Sequence, residues 1–177
     1  MLDLGTTIPE FELINVLDGA LFTSESLKNN TPSLIMVICN HCPYVMQYHE
    51  ELQRLANDFQ KSIDMVAISA NDVNHYPQDG PEPMKALFKN LGLRFPYLYD
   101  NTQELAKALK AECTPEFYLF DTNDVLVYRG RLDDTSPGKT IKPTGKDLRG
   151  ALSNLLSGKS ITDYQHPSMG CSIKWNR

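Results

Sequence analysis

The chain alternates short apolar runs with segments whose apolar residues recur every three or four positions. Such runs predict buried strands, and the recurring spacing predicts helices with one buried face. The runs place strands at residues 33–38, 65–69, 97–99, 116–120 and 125–129. The spacing places helices that begin near Pro43, Met84, Thr102 and Thr144. Strands that alternate with helices and then form a final hairpin predict a mixed sheet with helices on both faces.

The N-terminal region predicts a β-hairpin. Two apolar runs, 11–16 and 20–23, flank Leu17-Asp18-Gly19, and Asp-Gly between such runs is a hairpin signal. We therefore predict an α/β fold with a central mixed β-sheet flanked by helices, an N-terminal β-hairpin and an inserted αβ unit at 84–99. Residues 1–158 are expected to form one domain, and residues 159–177, which show no periodicity, an extended C-terminal tail.

Charge and the lengths of the apolar runs exclude several classes of protein. The chain has 177 residues and a net charge of −5, which argues against a nucleic-acid partner and against a basic membrane-binding patch. The longest apolar run, residues 34–39, is far too short to span a bilayer. The N-terminus lacks the basic and apolar regions of a signal peptide, so the expected location is the cytoplasm. Cysteines in that compartment are typically catalytic or metal-binding.

The chemistry-bearing motif is Cys39-Asn40-His41-Cys42-Pro43, placed where a buried strand ends and a helix begins. The unpaired N–H groups and the positive dipole end of a helix N-terminus stabilise a thiolate, the reactive form of cysteine. Two cysteines three positions apart can also form a disulfide with each other, so that the second resolves a mixed disulfide on the first. His41, if protonated, would stabilise the thiolate further.

Four segments together carry a resemblance to a known family. They are residues 39–45, 114–121, 128–131 and 170–175. In these segments the chain resembles the thioredoxin superfamily, and more narrowly the CxxC-containing, peroxiredoxin-like branch of the alkyl hydroperoxide reductase and thiol-specific antioxidant (redoxin) family. The resemblance implies a thioredoxin-like fold. It also implies a cis peptide bond between Thr114 and Pro115, packed against the cysteine pair, where the Thr114 backbone would position a substrate.

Two departures from the family's patterns bear on function. Thioredoxins carry a buried aspartate six positions before the first cysteine, and this chain has Ser33 there. Peroxiredoxins carry a threonine three positions before the peroxidatic cysteine and a proline four positions before that threonine. If Cys42 is the peroxidatic residue, those positions hold Cys39 and Ile35, which weakens a peroxidase assignment.

The favoured hypothesis is a cytoplasmic thiol–disulfide oxidoreductase. Cys39, expected to be the more exposed thiol, would attack a protein disulfide, and Cys42 would resolve the intermediate. His41 would tune the pair, Thr114 and Pro115 would position the substrate, and an unidentified thiol reductant would recycle the enzyme. No metal is expected, and no organic cofactor is expected because no glycine-rich phosphate loop follows a strand.

Two alternatives stay open. The chain could be a thiol peroxidase with an antioxidant role, in which a hydroperoxide oxidises Cys42 to a sulfenic acid that condenses with Cys39. It could instead be a metal-binding or redox-sensing module in which Cys39, Cys42 and Cys113, with or without Cys171, bind zinc or copper.

Cys113 and Cys171 are possible additional thiols. Cys113 lies two positions before Pro115, so it either approaches the active pair or fills space as a small apolar residue. Cys171 is either a mobile third thiol that resolves an intermediate, or a free thiol on a docked tail anchored by Ile173 and Trp175.

Overall fold

A seven-stranded mixed β-sheet forms the centre of the structure, a computed structural model that describes residues 1–177. Its strands are β1 (Glu12–Asn15), β2 (Leu21–Thr23), β3 (Ser33–Val37), β4 (Asp64–Ser69), β5 (Tyr97–Tyr99), β7 (Glu116–Phe120) and β8 (Leu126–Gly130). The spatial order is β2-β1-β5-β4-β3-β7-β8. Strands β3, β4 and β5 run parallel, whereas β7 and β1 join them antiparallel. The predicted mixed sheet is confirmed.

Helices cover both faces of the sheet. They are α1 (Pro43–Met46), α2 (His49–Phe59), α3 (Pro81–Leu91), α4 (Glu104–Ala108) and α5 (Lys146–Leu156). Alternate residues of β3 point into two apolar cores: Leu34 packs with α1, α2, α3 and α5, and Ile35 packs with α4 and the N-terminal segment. No helix has both the length and the apolar character needed to cross a membrane.

The predicted hairpin and inserted unit are also confirmed. Strands β1 and β2 pair antiparallel across the turn, where Gly19 adopts a φ of 77° that glycine accepts without steric cost. Helix α3 ends at Gly92, whose φ of 67° closes the helix in the left-handed conformation, and β5 follows.

Two predicted helices differ in the structure. The single helix expected from Pro43 is divided into α1 and α2, because the Tyr48 N–H donates to the Val45 carbonyl, three residues back, and interrupts the regular ladder. The helix expected from Thr102 to Glu112 is confined to α4. It lies between Gln103 and Lys110, whose positive φ angles of 64° and 51° are incompatible with a continuing helix.

The C-terminal tail is docked on the domain. Its strand β9 (Cys171–Ser172) pairs antiparallel with β6 (Cys113–Thr114), so that Cys171 lies opposite Thr114. Ile173 is buried as expected, whereas Trp175 is 39% exposed and is not the apolar anchor that was expected. The division of the chain at residue 158 stays a prediction.

Candidate active site

The cysteine pair lies at the carboxyl end of the central strand β3. Cys39 follows that strand by two residues, Cys42 is the N-cap of α1, and Pro43 is the first residue of the helix. Proline fits that position because its missing N–H has no partner to lose there. The predicted strand–CxxC–helix arrangement is therefore confirmed.

Thr114 and Pro115 lie against the pair, as the resemblance implied. The Thr114–Pro115 peptide bond is cis. The Thr114 hydroxyl oxygen lies 3.3 Å from the Cys39 Sγ, and the Thr114 carbonyl oxygen lies 3.2 Å from the Cys42 Sγ. The fold thus brings together residues more than seventy positions apart in the chain.

The environment separates the acidities of the two thiols. A hydrogen bond from the Cys39 thiol, together with donors from Cys171, the Val45 N–H and Thr114, lowers the pKa of Cys42 to about 4 against the effect of its burial. The same hydrogen bond to Cys42, burial and the nearby Asp79 carboxylate raise the pKa of Cys39. Of the two thiols, Cys42 therefore has the lower pKa and forms its thiolate first.

Exposure does not distinguish the two thiols, although Cys39 was expected to be the more exposed. Cys39 is 1% exposed and Cys42 0% exposed. Cys39 belongs to the apolar core, and Cys42 is covered by the docked tail. Exposure therefore gives Cys39 no advantage as the attacking thiol, and ionisation favours Cys42.

His41 is held by a buried carboxylate. Its Nδ1 lies 2.5 Å from Asp79 Oδ2, and its ring stacks on Tyr76 with centroids 5.4 Å apart. The ring is partly exposed, whereas the Asp79 side chain is fully buried. The tuning role of His41 stays a prediction.

Asp79 organises the loop between the two cysteines, and sequence reasoning missed it. Its Oδ1 accepts hydrogen bonds from the backbone N–H groups of Asn40 and His41, at 2.8 and 3.2 Å. Its Oδ2 also accepts from the Asn71 amide at 2.8 Å. Asp79 lies in a segment rich in proline and glycine that the sequence indicates only as a loop, so no local signal could have identified it.

The tail brings a third sulfur to the pair. The Cys171 Sγ lies 2.8 Å from the Cys42 Sγ, closer than the Thr114 carbonyl oxygen at 3.2 Å. The chain approaches closely at Gly170, where an added Cβ would lie 2.0 Å from the Thr114 carbonyl oxygen. Burial and the neighbouring Cys42 raise the pKa of Cys171 to about 11, so Cys171 is a thiol and can donate to the Cys42 thiolate.

Cys113, in contrast, is directed to a different partner. Its Sγ lies 3.4 Å from the Glu116 carboxylate, and its backbone N–H donates to the same oxygen. Burial and the negative charge of Glu116 raise the pKa of Cys113. A thiol held protonated in this way is a poor nucleophile.

The potential metal ligands that lie close together in the structure differ from the predicted set. Ligand atoms of Cys39, His41 and Asp79 lie within 4.8 Å of one another, and Cys113 is not among them. The 2.5 Å His41–Asp79 contact is shorter than two ligands can approach on a tetrahedral zinc with bonds of about 2.0 Å. His41 and Asp79 are therefore arranged as a hydrogen-bonded pair.

The central mixed sheet, the strand–CxxC–helix junction and the adjacent cis Thr-Pro bond define a thioredoxin-like redox protein. A structure described as a secreted disulfide oxidoreductase of Mycobacterium tuberculosis has this fold, with a TM-score of 0.63 at 16% identity over 82% of this chain and 96% of that chain. The predicted fold class is confirmed.

Sequence comparison gives the family. The family model described as Redoxin matches residues 3–148, and the chain belongs to that family. The thiol:disulfide interchange protein DsbE of Haemophilus influenzae is 25% identical over 143 residues, covering 79% of this chain and 74% of its own. The protein is therefore a thiol–disulfide oxidoreductase, which confirms the function class predicted from the sequence.

Two solved structures are similar over almost the whole chain. An uncharacterized conserved protein from Geobacillus kaustophilus has a TM-score of 0.95 and 50% identity, covering 99% of this chain and 94% of that chain. A hypothetical protein from Sinorhizobium meliloti has the same TM-score and 40% identity, covering 99% and 96%. Both alignments cover the tail as well as the residues that the family model matches.

Proposed function

We propose that the protein reduces disulfides of protein substrates with Cys42 as the attacking thiol and Cys39 as the resolving thiol, the reverse of the roles expected from the sequence. The observation that carries this proposal is the position of Cys42, the N-cap residue of α1, next to Cys39, Cys171 and Thr114, contacts that lower its pKa to about 4. At neutral pH that sulfur is ionised, and the thiolate is the nucleophile in disulfide exchange.

In the first step, the Cys42 thiolate attacks one sulfur of the substrate disulfide. A bond forms between the Cys42 Sγ and that sulfur, the substrate S–S bond breaks, and the other substrate sulfur leaves as a thiolate that takes a proton from solvent. The mixed disulfide is resolved when a second thiol of the protein attacks the Cys42 sulfur and the remaining substrate sulfur leaves.

Cys39 supplies that second thiol. Formation of the mixed disulfide removes the negative charge on Cys42, and with it the main cause of the raised pKa of Cys39. The Thr114 hydroxyl, 3.3 Å away, then stabilises a thiolate on Cys39. Cys39 attacks the Cys42 sulfur, the Cys39–Cys42 disulfide forms, and the proton from Cys39 goes to the departing substrate sulfur. The substrate gains two electrons and the pair loses two.

Substrate access requires a local movement of the tail. Cys42 is fully buried in the docked arrangement, and β9 lies along the Thr114 backbone that would pair with an extended peptide. Two residue pairs join β9 to β6, and the buried Ile173 and the hydrogen bonds from Lys174 to Asn71 and from Asn176 to Gln103 hold the residues after it, so access to Cys42 requires release of these contacts.

The peroxidase alternative has no observation of its own. The hydroxyl and proline positions of peroxiredoxins are occupied by Cys39 and Ile35. Thiol–disulfide exchange needs none of these missing groups.

Turnover on the two substrate classes tests the proposal. With dithiothreitol as reductant, the protein is expected to accelerate the reduction of insulin, measured as precipitation of the freed chain, because its ionised thiol attacks disulfides. Under the same conditions it is expected to add little to the spontaneous loss of hydrogen peroxide. Fast peroxide consumption without insulin reduction would contradict the proposal and favour the peroxidase.

We also propose the cytoplasm as the compartment, with a cellular thiol as the reductant. A reducing environment keeps cysteines as thiols and would regenerate the oxidised pair. Fractionation of cells that make the tagged protein is expected to recover it with cytoplasmic markers, and recovery with extracytoplasmic markers would contradict this location.

A further inference from the structure

We propose that Cys171 is a third redox thiol, which takes the disulfide over from the buried Cys39–Cys42 pair and presents it to the thiol reductant. This inference rests on the proposed function, because the oxidised pair that Cys171 attacks is the product of substrate reduction. With the tail docked, the oxidised Cys39–Cys42 pair is buried, and Cys171 is the partly exposed sulfur next to it.

The geometry of the two sulfurs supports this assignment. The Cys171 Sγ is 2.8 Å from the Cys42 Sγ, compared with about 2.05 Å in a disulfide, so bond formation requires little movement. The contact is fixed by backbone pairing, since Cys171 lies opposite Thr114 in the β6–β9 ladder. On the C-terminal side, Ile173 is buried, and the Lys174 N–H donates to the Asn71 side chain at 2.8 Å.

The position of Cys171 also differs from that of the pair in its access to solvent. Cys171 is partly exposed, whereas Cys39 and Cys42 are buried. A surface groove runs beside this segment, and the chain neighbours of Cys171, Gly170 and Ser172, contribute to the groove wall. The lining includes Tyr44, Glu112, Cys113, Glu116, Gly170 and Ser172. A small thiol in this groove reaches Gly170 and Ser172, the chain neighbours of the partly exposed Cys171.

The transfer balances without an added oxidant. Cys42 is uncharged in the disulfide and no longer contributes to the raised pKa of Cys171, which loses its proton and attacks the Cys42 sulfur of the Cys39–Cys42 disulfide. The Cys42–Cys171 bond forms, the Cys39–Cys42 bond breaks, and Cys39 leaves as a thiolate that takes up the proton. The number of disulfides is unchanged, so this step is an isomerisation within the protein.

Reduction then proceeds at the exposed sulfur. A reductant thiolate attacks the Cys171 Sγ, a mixed disulfide forms there, and Cys42 leaves as a thiolate. Because exchange is faster when the leaving thiol has the lower pKa, attack on Cys171 with departure of Cys42 is the favoured direction. A second reductant thiol releases Cys171, so two reductant thiols become one disulfide as the protein regains its three thiols.

The test removes Cys39 so that Cys171 alone can resolve Cys42. Reduced, full-length Cys39→Ser protein is mixed with one equivalent of dithiodipyridine at about pH 7, below the titration of ordinary thiols. We expect two thiopyridones per protein, no retained adduct and a Cys42–Cys171 disulfide by mass spectrometry. The Cys39→Ser/Cys171→Ser protein is expected to release one thiopyridone and keep the adduct. The matched control, Cys39→Ser/Cys113→Ser, is expected to release two.

The outcomes separate this inference from the proposed function. One thiopyridone and a stable adduct on Cys42 in the Cys39→Ser protein would overturn the role of Cys171 and leave Cys42 as the attacking thiol. No reaction at Cys42 would overturn both.

Recycling gives a second readout. Reduction of the oxidised protein by mercaptoethanol is expected to be at least about tenfold slower in Cys171→Ser and nearly unchanged in Cys113→Ser. Equal rates in Cys171→Ser and the unaltered protein would overturn the relay.

Discussion

Replacement of Cys42 by serine is expected to lower the rate of insulin reduction by at least about 10³-fold, because it removes the ionised nucleophile. Serine is close to cysteine in size, so the 0% exposed site should still pack. The unfolding midpoint of Cys42→Ser, measured by circular dichroism, is expected to stay near that of the unaltered protein. The loss of rate is then due to the missing nucleophile and not to unfolding of the protein.

The Cys39→Ser protein is the matched comparison, since it alters the other half of the same motif. It is expected to keep the first step, attack on the substrate, at a rate close to that of the unaltered protein. The pKa of Cys42 should rise somewhat because its principal donor is the Cys39 thiol. If Cys39→Ser abolished the first step while Cys42→Ser retained it, the attacking thiol would be Cys39, as the sequence alone suggested.

Replacement of Asp79 by alanine is expected to lower the free energy of unfolding by about 3 kcal/mol, a fall in Tm on the order of 10 °C. The carboxylate is fully buried and accepts the N–H groups of Asn40 and His41, which would lose their partner. The pKa of Cys39 is expected to fall as well, because the Asp79 charge contributes to raising it. Thermal unfolding by calorimetry measures the first effect.

Asp134→Ala is the control for loss of a carboxylate. Asp134 is paired with Lys146 on the surface, with both side chains 54% exposed, and such pairs contribute little to stability. Its Tm is expected to stay nearly unchanged. A Tm of Asp79→Ala equal to that of Asp134→Ala would contradict the structural role of Asp79.

Local sequence patterns predicted most of the fold. The continuous apolar run at β3 and the Asp-Gly turn between β1 and β2 are signals contained within a few residues, and the structure has both elements. The position of Cys42 at a helix N-terminus was predicted from an equally local signal, the change of hydrophobic period at Pro43. The break between α1 and α2 was not predicted, because it depends on one backbone hydrogen bond at Tyr48.

The rest of the site depends on contacts between distant segments. Asp79 reaches His41 across 38 positions, and Cys171 reaches Cys42 across 129. The hydrophobic periodicity of the chain does not predict either contact. The roles of Cys39 and Cys42 were assigned from an expected difference in exposure, which the burial of Cys39 in the apolar core abolishes.

The ionisation of Cys42 is tested most directly by the ultraviolet absorbance of its thiolate. The signal of the reduced protein minus that of Cys42→Ser is recorded from about pH 3 to pH 7.5, below the titration of ordinary thiols. We predict one thiolate that appears with a midpoint near pH 4, since the folded protein lowers that pKa. A difference signal that stays at zero up to pH 7.5 would contradict the assignment of Cys42 as the reactive thiolate.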